Sequence, residues 1–266
     1  MGTARDILST GSRTISTFDV PNPLAAPPGL RTAWREYLDN ASAGGLTASV
    51  ISFDEGAFDP RAFLFAGIAC PLDVARSVNK RQAEFFFGRL AARHAMEAAG
   101  WAAADVPIGP NREPIWPTGL SGSISHSAGL AAAVVLADAS SLRVGIDVER
   151  VIEPSLRETL RATVLDDREY HCVGACAGSQ PQFDELMTIV FSAKESLFKA
   201  TFAAVGRYFA FDAVRLVELD VARRHLVLQV RQSLCSSLAA GDRLDVYYAK
   251  LAHRVVMTSC VHAARP

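Results

Sequence analysis

Val144-Gly145-Ile146-Asp147-Val148-Glu149-Arg150 and Phe191-Ser192-Ala193-Lys194-Glu195-Ser196-Leu197-Phe198-Lys199-Ala200 are the two stretches around which the chain is organised. The first alternates as a strand does. Leu142, Val144, Ile146 and Val148 take one face, and Arg143, Gly145, Asp147 and Glu149 the other. Two residues of strand advance about 6.5 Å, so Asp147 and Glu149 are near neighbours pointing the same way. Carboxylates held that close repel unless a cation or a proton lies between them. The second stretch has helical spacing and places Glu195 and Lys199 one turn apart on one face. A helix crossing the strand end would bring Asp147, Glu149 and Glu195 together, flanked by Lys194 and Lys199. That set suits Mg2+, which takes oxygen ligands and leaves positions free for phosphate oxygens.

Each piece alone has a plainer reading. A D-x-E strand end is ordinarily a solvated edge, and Glu195 with Lys199 an ordinary i,i+4 pair contributing roughly 0.2–0.5 kcal/mol. Ser192 and Glu195 also have the spacing of a capping box, although the apolar residues before Phe191 argue for an earlier helix start. It is the two stretches together, in this order, that resemble the signature pair of the 4'-phosphopantetheinyl transferases, G-I-D-x-E followed by F-S-x-K-E-S-x-x-K-A. Three further elements resemble the enterobactin-type branch of that family. They are Lys80-Arg81-Gln82-Ala83-Glu84-Phe85-Phe86-Phe87-Gly88-Arg89, the R-x-P-x-W-P-x-G loop from Arg112 to Gly119, and Gly122-Ser123-Ile124-Ser125-His126-Ser127.

The resemblance implies an α+β fold of two similar halves, a pseudo-dimeric monomer with coenzyme A in the cleft between them. The expected division is an amino-terminal arm at 1–45, a first half at 46–138 and a second at 139–266. It implies transfer of the phosphopantetheine arm of coenzyme A to a serine of an apo carrier protein, releasing 3',5'-ADP. Asp147, Glu149 and Glu195 would hold Mg2+, with Glu195 the expected base and Lys199 its catalytic companion. Arg81, Arg89, Arg112, Ser125, His126, Asp147, Lys194 and Lys199 would meet the coenzyme. Position 113 departs from the better-known surfactin-type relatives, being Glu where they carry Lys; Arg112 is the expected substitute. Two rival readings are a non-catalytic module that binds coenzyme A or carriers, and a Mg2+-dependent pyrophosphate hydrolase.

Composition agrees with a globular protein. The 266 residues, 50% hydrophobic and 21% charged, can bury a full core as one domain or two. With 27 basic against 28 acidic residues, net charge gives no support for a nucleic-acid or membrane-surface partner. Only Lys80, Lys194, Lys199 and Lys250 are lysines, and two of them fall within the helical motif. That bias suggests a compact ammonium is wanted there. The 5 cysteines are odd in number and scattered, and C-x3-C at Cys172 and Cys176 lacks a second pair, so free thiols are expected. No apolar run has signal or membrane-spanning length, which predicts a cytoplasmic protein.

Along the chain, residues 1–45 read as a loosely ordered arm with a short helix near Ala33–Leu38. Strands are predicted at 46–54 and 62–69, and a helix from Leu72 to Gly100. On it Arg81, Arg89 and Arg93 share a side, either as a solvated face or as phosphate donors. Ala137-Asp138-Ala139-Ser140-Ser141 reads as the junction between halves, and 153–186 as a polar helix-and-loop region. The motif helix is expected from about Phe183 to Phe202. Ala213–Leu219, Leu226–Val230, Leu244–Leu251 and Arg254–His262 alternate like antiparallel strands.

Overall fold

The structure, a computed structural model, describes residues 14–17, 26–40, 43–137 and 142–263. Its strands are β1 (Thr14–Thr17), β2 (Leu30–Leu38), β3 (Leu46–Phe53), β4 (Leu120–Ser127), β5 (Leu130–Ala137), β6 (Leu142–Arg150), β7 (Val214–Asp220), β8 (His225–Val230), β9 (Arg243–Ala252) and β10 (Val255–Ala263). Its helices are α1 (Ala62–Ala66), α2 (Leu72–Ala75), α3 (Asn79–Ala98), α4 (Arg157–Thr163), α5 (Asp167–Cys176) and α6 (Gln180–Val205). The strands form two antiparallel sheets of 5 strands each, in the orders β1-β2-β3-β5-β4 and β6-β10-β9-β8-β7. The fold is α+β.

Strand alternation sorts the apolar residues into three clusters. Ile51, Phe53, Ala131 and Ala133 face α3, where Phe86, Phe87, Ala91 and Met96 bury. Their neighbours Val50, Ala132 and Val134 face the other way and meet Val144, Ile146, Val148, Met257 and Val261 of the second sheet. On the far side of that sheet, Leu186, Ile189, Val190, Ala193 and Leu197 of α6 pack on Leu226, Leu228, Val246, Val256 and Cys260. The result is four layers: helix α3, two sheets face to face, and helix α6.

Gly145 explains why the motif strand begins as it does. A Cβ built there would press on the carbonyl oxygen of Ser196 and lie 2.5 Å from Ala200 N, so only glycine lets α6 cross β6 this closely. Gly88 on α3 plays the reciprocal part, lying 3.1 Å (as a built Cβ) from Ile124 of β4. The long motif helix is capped at both ends. Ser179 accepts from Gln182 N, and Gly206 closes the helix in the left-handed region with its N–H donated to Phe202 O at 2.8 Å.

The four carboxy-terminal strands and the motif strand lie where the alternation places them. Three expectations fail. Ala33–Leu38 is not a helix but most of β2, because pairing with β3 across Trp34↔Val50 and Glu36↔Ala48 overrides the helical propensity of its residues. The apolar run 62–69 is not a strand but the short helix α1, closed by Gly67 at φ 59°; a brief apolar run fits either period. The predicted helix from Leu72 is two, α2 and α3, with Gln82 donating to the carbonyls of Ala75 and Ser77 across the break. Of the expected junction, residues 138–141 lie outside the described residues. The capping box is at Asp166 and Glu169, opening α5, and Ser192 is mid-helix.

We expect Gly145→Ala to lower the unfolding free energy by about 3 kcal/mol, since the backbone of α6 has to retreat from the strand. Gly174→Ala is the control. Its built Cβ meets nothing nearer than 3.7 Å on helix α5, so alanine should be neutral or stabilising by up to about 1 kcal/mol. Urea titration of both variants is the measurement, and a neutral Gly145→Ala would contradict the close crossing.

Candidate active site

The motif strand and motif helix meet at Asp147, which is 4% exposed. Its Oδ1 accepts from Lys199 Nζ at 2.7 Å and from Ser125 Oγ at 3.0 Å. Its Oδ2 is buried and has no hydrogen-bond partner among the described residues. Glu149, two residues on, accepts from Ser127 Oγ at 3.4 Å. Burial, and then the neighbouring charge of Asp147, push the Glu149 carboxyl up to about 7. Glu195 on α6 is also raised, by burial first and by Asp147 second, while Lys199 works against both. Among the described residues no three Asp, Glu, His or Cys side chains already form a group that could hold a metal. The donor set still fits a hard divalent cation. It has an orphaned buried carboxylate oxygen and two carboxyls whose charged forms are disfavoured by burial first and by Asp147 second.

Lys199 turns to Asp147 and not along its own helix to Glu195. Its ammonium also donates to Ile146 O and Ser125 Oγ, each at 3.1 Å. The pair is more than the helix-surface contact that i,i+4 spacing suggests.

Strand β4 carries His126 beside Ser125, so their side chains leave opposite faces. His126 opens onto a cavity of about 260 Å³ whose wall includes Arg81, Arg89 and Arg112. Arg81 Nη1 lies 3.1 Å from His126 Nε2. A guanidinium can only donate, so Nε2 accepts and the ring hydrogen is assigned to Nδ1, which is 3.6 Å from Glu84 Oε2. Burial, then the charges of Arg81 and Lys199, push His126 down to about 4. Arg89 donates from Nε to Val106 O at 2.6 Å and lies 4.4 Å over the Phe85 ring. Burial, then Arg81, bring its guanidinium down to about 10. Three guanidinium groups and an imidazole around one cavity suit an anion, with Asp73 and Glu84 the carboxylates on the same wall.

Three expected residues do other work. Arg93 is not part of that cavity wall; it donates to the carbonyls of Ala66 and Gly67 and pairs with Asp105 at 2.7 Å. Lys194 is fastened inside the fold. It is 2% exposed, lies 2.8 Å from Glu169 Oε1, and donates to Val164 O at 2.7 Å and Phe211 O at 3.3 Å, so its three hydrogens are spent inside the fold. The Ser125 hydroxyl is likewise engaged, its one hydrogen going to Asp147. Glu113 is absorbed by its loop, where its Oε2 accepts from Asn111 N at 2.8 Å beside Arg112 in the left-handed region at φ 68°. Arg112 is left as that loop's cation at the cavity.

Sequence reading missed Glu84, Glu169 and an aromatic cleft beside Glu195. Glu84 stands among Lys80, Arg81 and His126, with its carboxyl raised by burial. Glu169 was visible only as the fourth residue of an Asp166 capping pattern. The cleft is walled by Phe198, Tyr208, Phe209 and Phe211. Their spacing signals a helix end and loop, not a common wall.

Lys194→Met should leave Glu169 charged and buried without its partner, costing about 3–5 kcal/mol of stability. Adding Glu169→Gln removes the stranded charge and should restore part of the loss. Paired denaturant titrations measure this, and a Lys194→Met protein as stable as the parent would contradict it.

Comparison with known proteins bears on the same regions. Residues 71–136 match the 4'-phosphopantetheinyl transferase N-terminal domain, and residues 143–252 match the 4'-phosphopantetheinyl transferase superfamily. Enterobactin synthase component D of Salmonella typhi is 34% identical over 192 residues, covering 71% of this chain and 76% of that protein. The 4'-phosphopantetheinyl transferase Svp of Streptomyces mobaraensis is 31% identical over 218 residues, covering 80% and 84%. The transferase PptT of Mycobacterium tuberculosis is 33% identical over 180 residues, covering 64% and 76%. With an acidic strand-helix crossing in the second match and an anion cavity walled mainly from the first, the chain belongs to the 4'-phosphopantetheinyl transferase superfamily.

Proposed function

We propose that this transferase moves the phosphopantetheine arm of coenzyme A to a serine of an apo carrier protein in a Mg2+-dependent reaction that releases 3',5'-ADP. The observation that carries the reading is the pairing of two unlike sites on one strand. Ser125 faces the acidic cluster and His126 faces the anion cavity. A substrate with phosphates at both ends of a short path, one of them to be cleaved, matches that layout. We assign the coenzyme's phosphates to Arg81, Arg89, Arg112 and His126. Asp147, Glu149 and Glu195 would hold the cation, which when bound supplies Lewis-acid stabilisation of phosphate charge. The aromatic cleft beside Glu195 offers an apolar wall for the pantetheine chain.

The carrier serine attacks the phosphorus that bears pantetheine, and the bond to the departing 3',5'-ADP breaks. Glu195 is the base that takes the serine proton. Burial beside Asp147 already favours the protonated form, which raises its basicity. Lys199 lies where its fixed ammonium meets charge growing on the phosphate oxygens. The chain is read as two similar halves, 46–138 and 139–266, the first extended by β1 and β2, with coenzyme A in the cleft between them. One five-stranded sheet and one long helix on each side support this. We place it as a monomer in the cytoplasm; among the described residues no helix is long and apolar enough to cross a membrane.

The deciding experiment incubates the protein with coenzyme A, Mg2+ and several apo carriers and weighs each carrier. A gain of one phosphopantetheine is expected, and it should vanish in excess chelator. Cleavage of coenzyme A without a carrier would identify a hydrolase, and binding without either reaction a non-catalytic module. Lys199→Met should remain folded and lose about a hundredfold in kcat, with coenzyme binding reduced less.

The charge state of His126 makes a separate prediction. Free, the imidazole is held down to about 4 by burial first, then by Arg81, Lys199 and Arg89, with Asp147 opposing and Glu84 facing it from α3. Because the folded value lies below the ordinary 6.5, His126 contributes stability above 6.5 that is lost as pH falls toward about 4. Phosphate anions favour the imidazolium, so coenzyme binding should take up a proton in that window. Calorimetry at about pH 5.5 in buffers of different ionisation heat measures the uptake. His126→Asn should abolish it, and equal heats in both buffers for the parent would refute it.

A further inference from the structure

Strands β4 and β6 end different sheets, yet they run side by side and parallel. The N–H groups of Val144, Ile146 and Val148 point off the free edge of β6. They are taken by the hydroxyls of Ser121, Ser123 and Ser125 at 3.3, 3.0 and 3.0 Å, each 23 residues earlier in the chain. Every second residue of β4 thus replaces the carbonyl that a paired strand would have supplied. In the same edge Ile146 O is taken by Lys199 Nζ.

A hydroxyl has one hydrogen and two lone pairs. At Ser125 all three are committed: it accepts from Val148 N and Lys199 Nζ and donates to Asp147 Oδ1. An ammonium has three hydrogens, and those of Lys199 go to Asp147 Oδ1, Ser125 Oγ and Ile146 O. Two legs of this tripod stand on β6 and the third on β4. We propose that Ser125 is a positioning residue of the transfer reaction, its hydroxyl fixing the Lys199 ammonium and the Asp147 carboxylate. This rests on the role proposed above for Lys199. Ser127, on the same face, makes the longer bond to Glu149 and is the weaker member of the set.

Ser123 supplies the internal control. It gives Ile146 N the same kind of acceptor and touches neither Asp147 nor Lys199 in the hydrogen-bond network described. Ser125→Ala and Ser123→Ala should therefore lose similar amounts of melting temperature. Ser125→Ala alone should lose about tenfold or more in kcat, with its dissociation constant for coenzyme A within about twofold of the parent. A second readout needs no turnover. With only four lysines, Lys80, Lys194, Lys199 and Lys250, side-chain NMR of the coenzyme-free protein can follow the Lys199 ammonium. Its order should fall in Ser125→Ala and stay parental in Ser123→Ala.

Equal kcat in the two variants, an unchanged Lys199 signal, or coenzyme affinity falling in step with kcat would each overturn the assignment. So would a Ser125→Ala chain that fails to fold where Ser123→Ala folds, because the hydroxyl would then be a stability element only. A parent protein that loads no carrier would instead overturn the proposed function, while the NMR comparison would still judge the tripod.

Discussion

A strand that ends a sheet leaves every second N–H and C=O without a neighbour, and at β6 those groups are buried between two sheets. Leaving them unpaired would cost about 1–3 kcal/mol for each. The chain satisfies them with side chains, three serines for the N–H groups and a lysine for the Ile146 carbonyl. Because the acidic motif residues lie on the same strand, whatever seals its edge also touches the chemistry. Gly145 adds the opposite constraint, admitting the backbone of α6 against the strand so that Lys199 can reach round to that edge.

Helical geometry then divides the labour of the two motif lysines. Four residues turn a helix by about 400°, leaving Glu195 and Lys199 about 40° apart on one side. Five residues turn it by about 500°, so Lys194 stands about 140° from Lys199. Lys199 therefore looks to β6 and β4, and Lys194 looks to α5 and the chain before β7, where Glu169 awaits it. A rare lysine is used twice in ten residues for unrelated reasons. One ammonium pairs with Asp147 at the strand-helix crossing, and the other fastens the helix that carries both.

That division marks the boundary of what the sequence discloses. Alternation in 142–150 placed Asp147 and Glu149 correctly on one face, because residues two apart on a strand share a face even where, as here, both faces are covered. The same logic placed the four carboxy-terminal strands. It failed for β2, whose helix-forming residues are held extended by β3, and for α1, too short to show a period. Ser125 and Lys194 meet partners that the sequence did not indicate. Both sit inside functional motifs, and motif membership says nothing about which partner a polar group meets. The partners are Val148 N and Asp147 across an interface for one, Glu169 and two carbonyls for the other.

The two faces of β4 have a mechanical consequence. Ser125 belongs to the acidic cluster and His126 to the anion cavity, and the two are joined by a single peptide unit. Consecutive Cα atoms across a trans peptide are about 3.8 Å apart whatever the surroundings do. Breathing of α3 against its sheet, or of α6 against the other, alters the depth of either pocket and leaves that gap untouched. The backbone spacing of Ser125 and His126 is thereby set by bond lengths, which do not soften with temperature, while the walls that α3 and α6 supply to the two sites remain subject to the compliance of their packing.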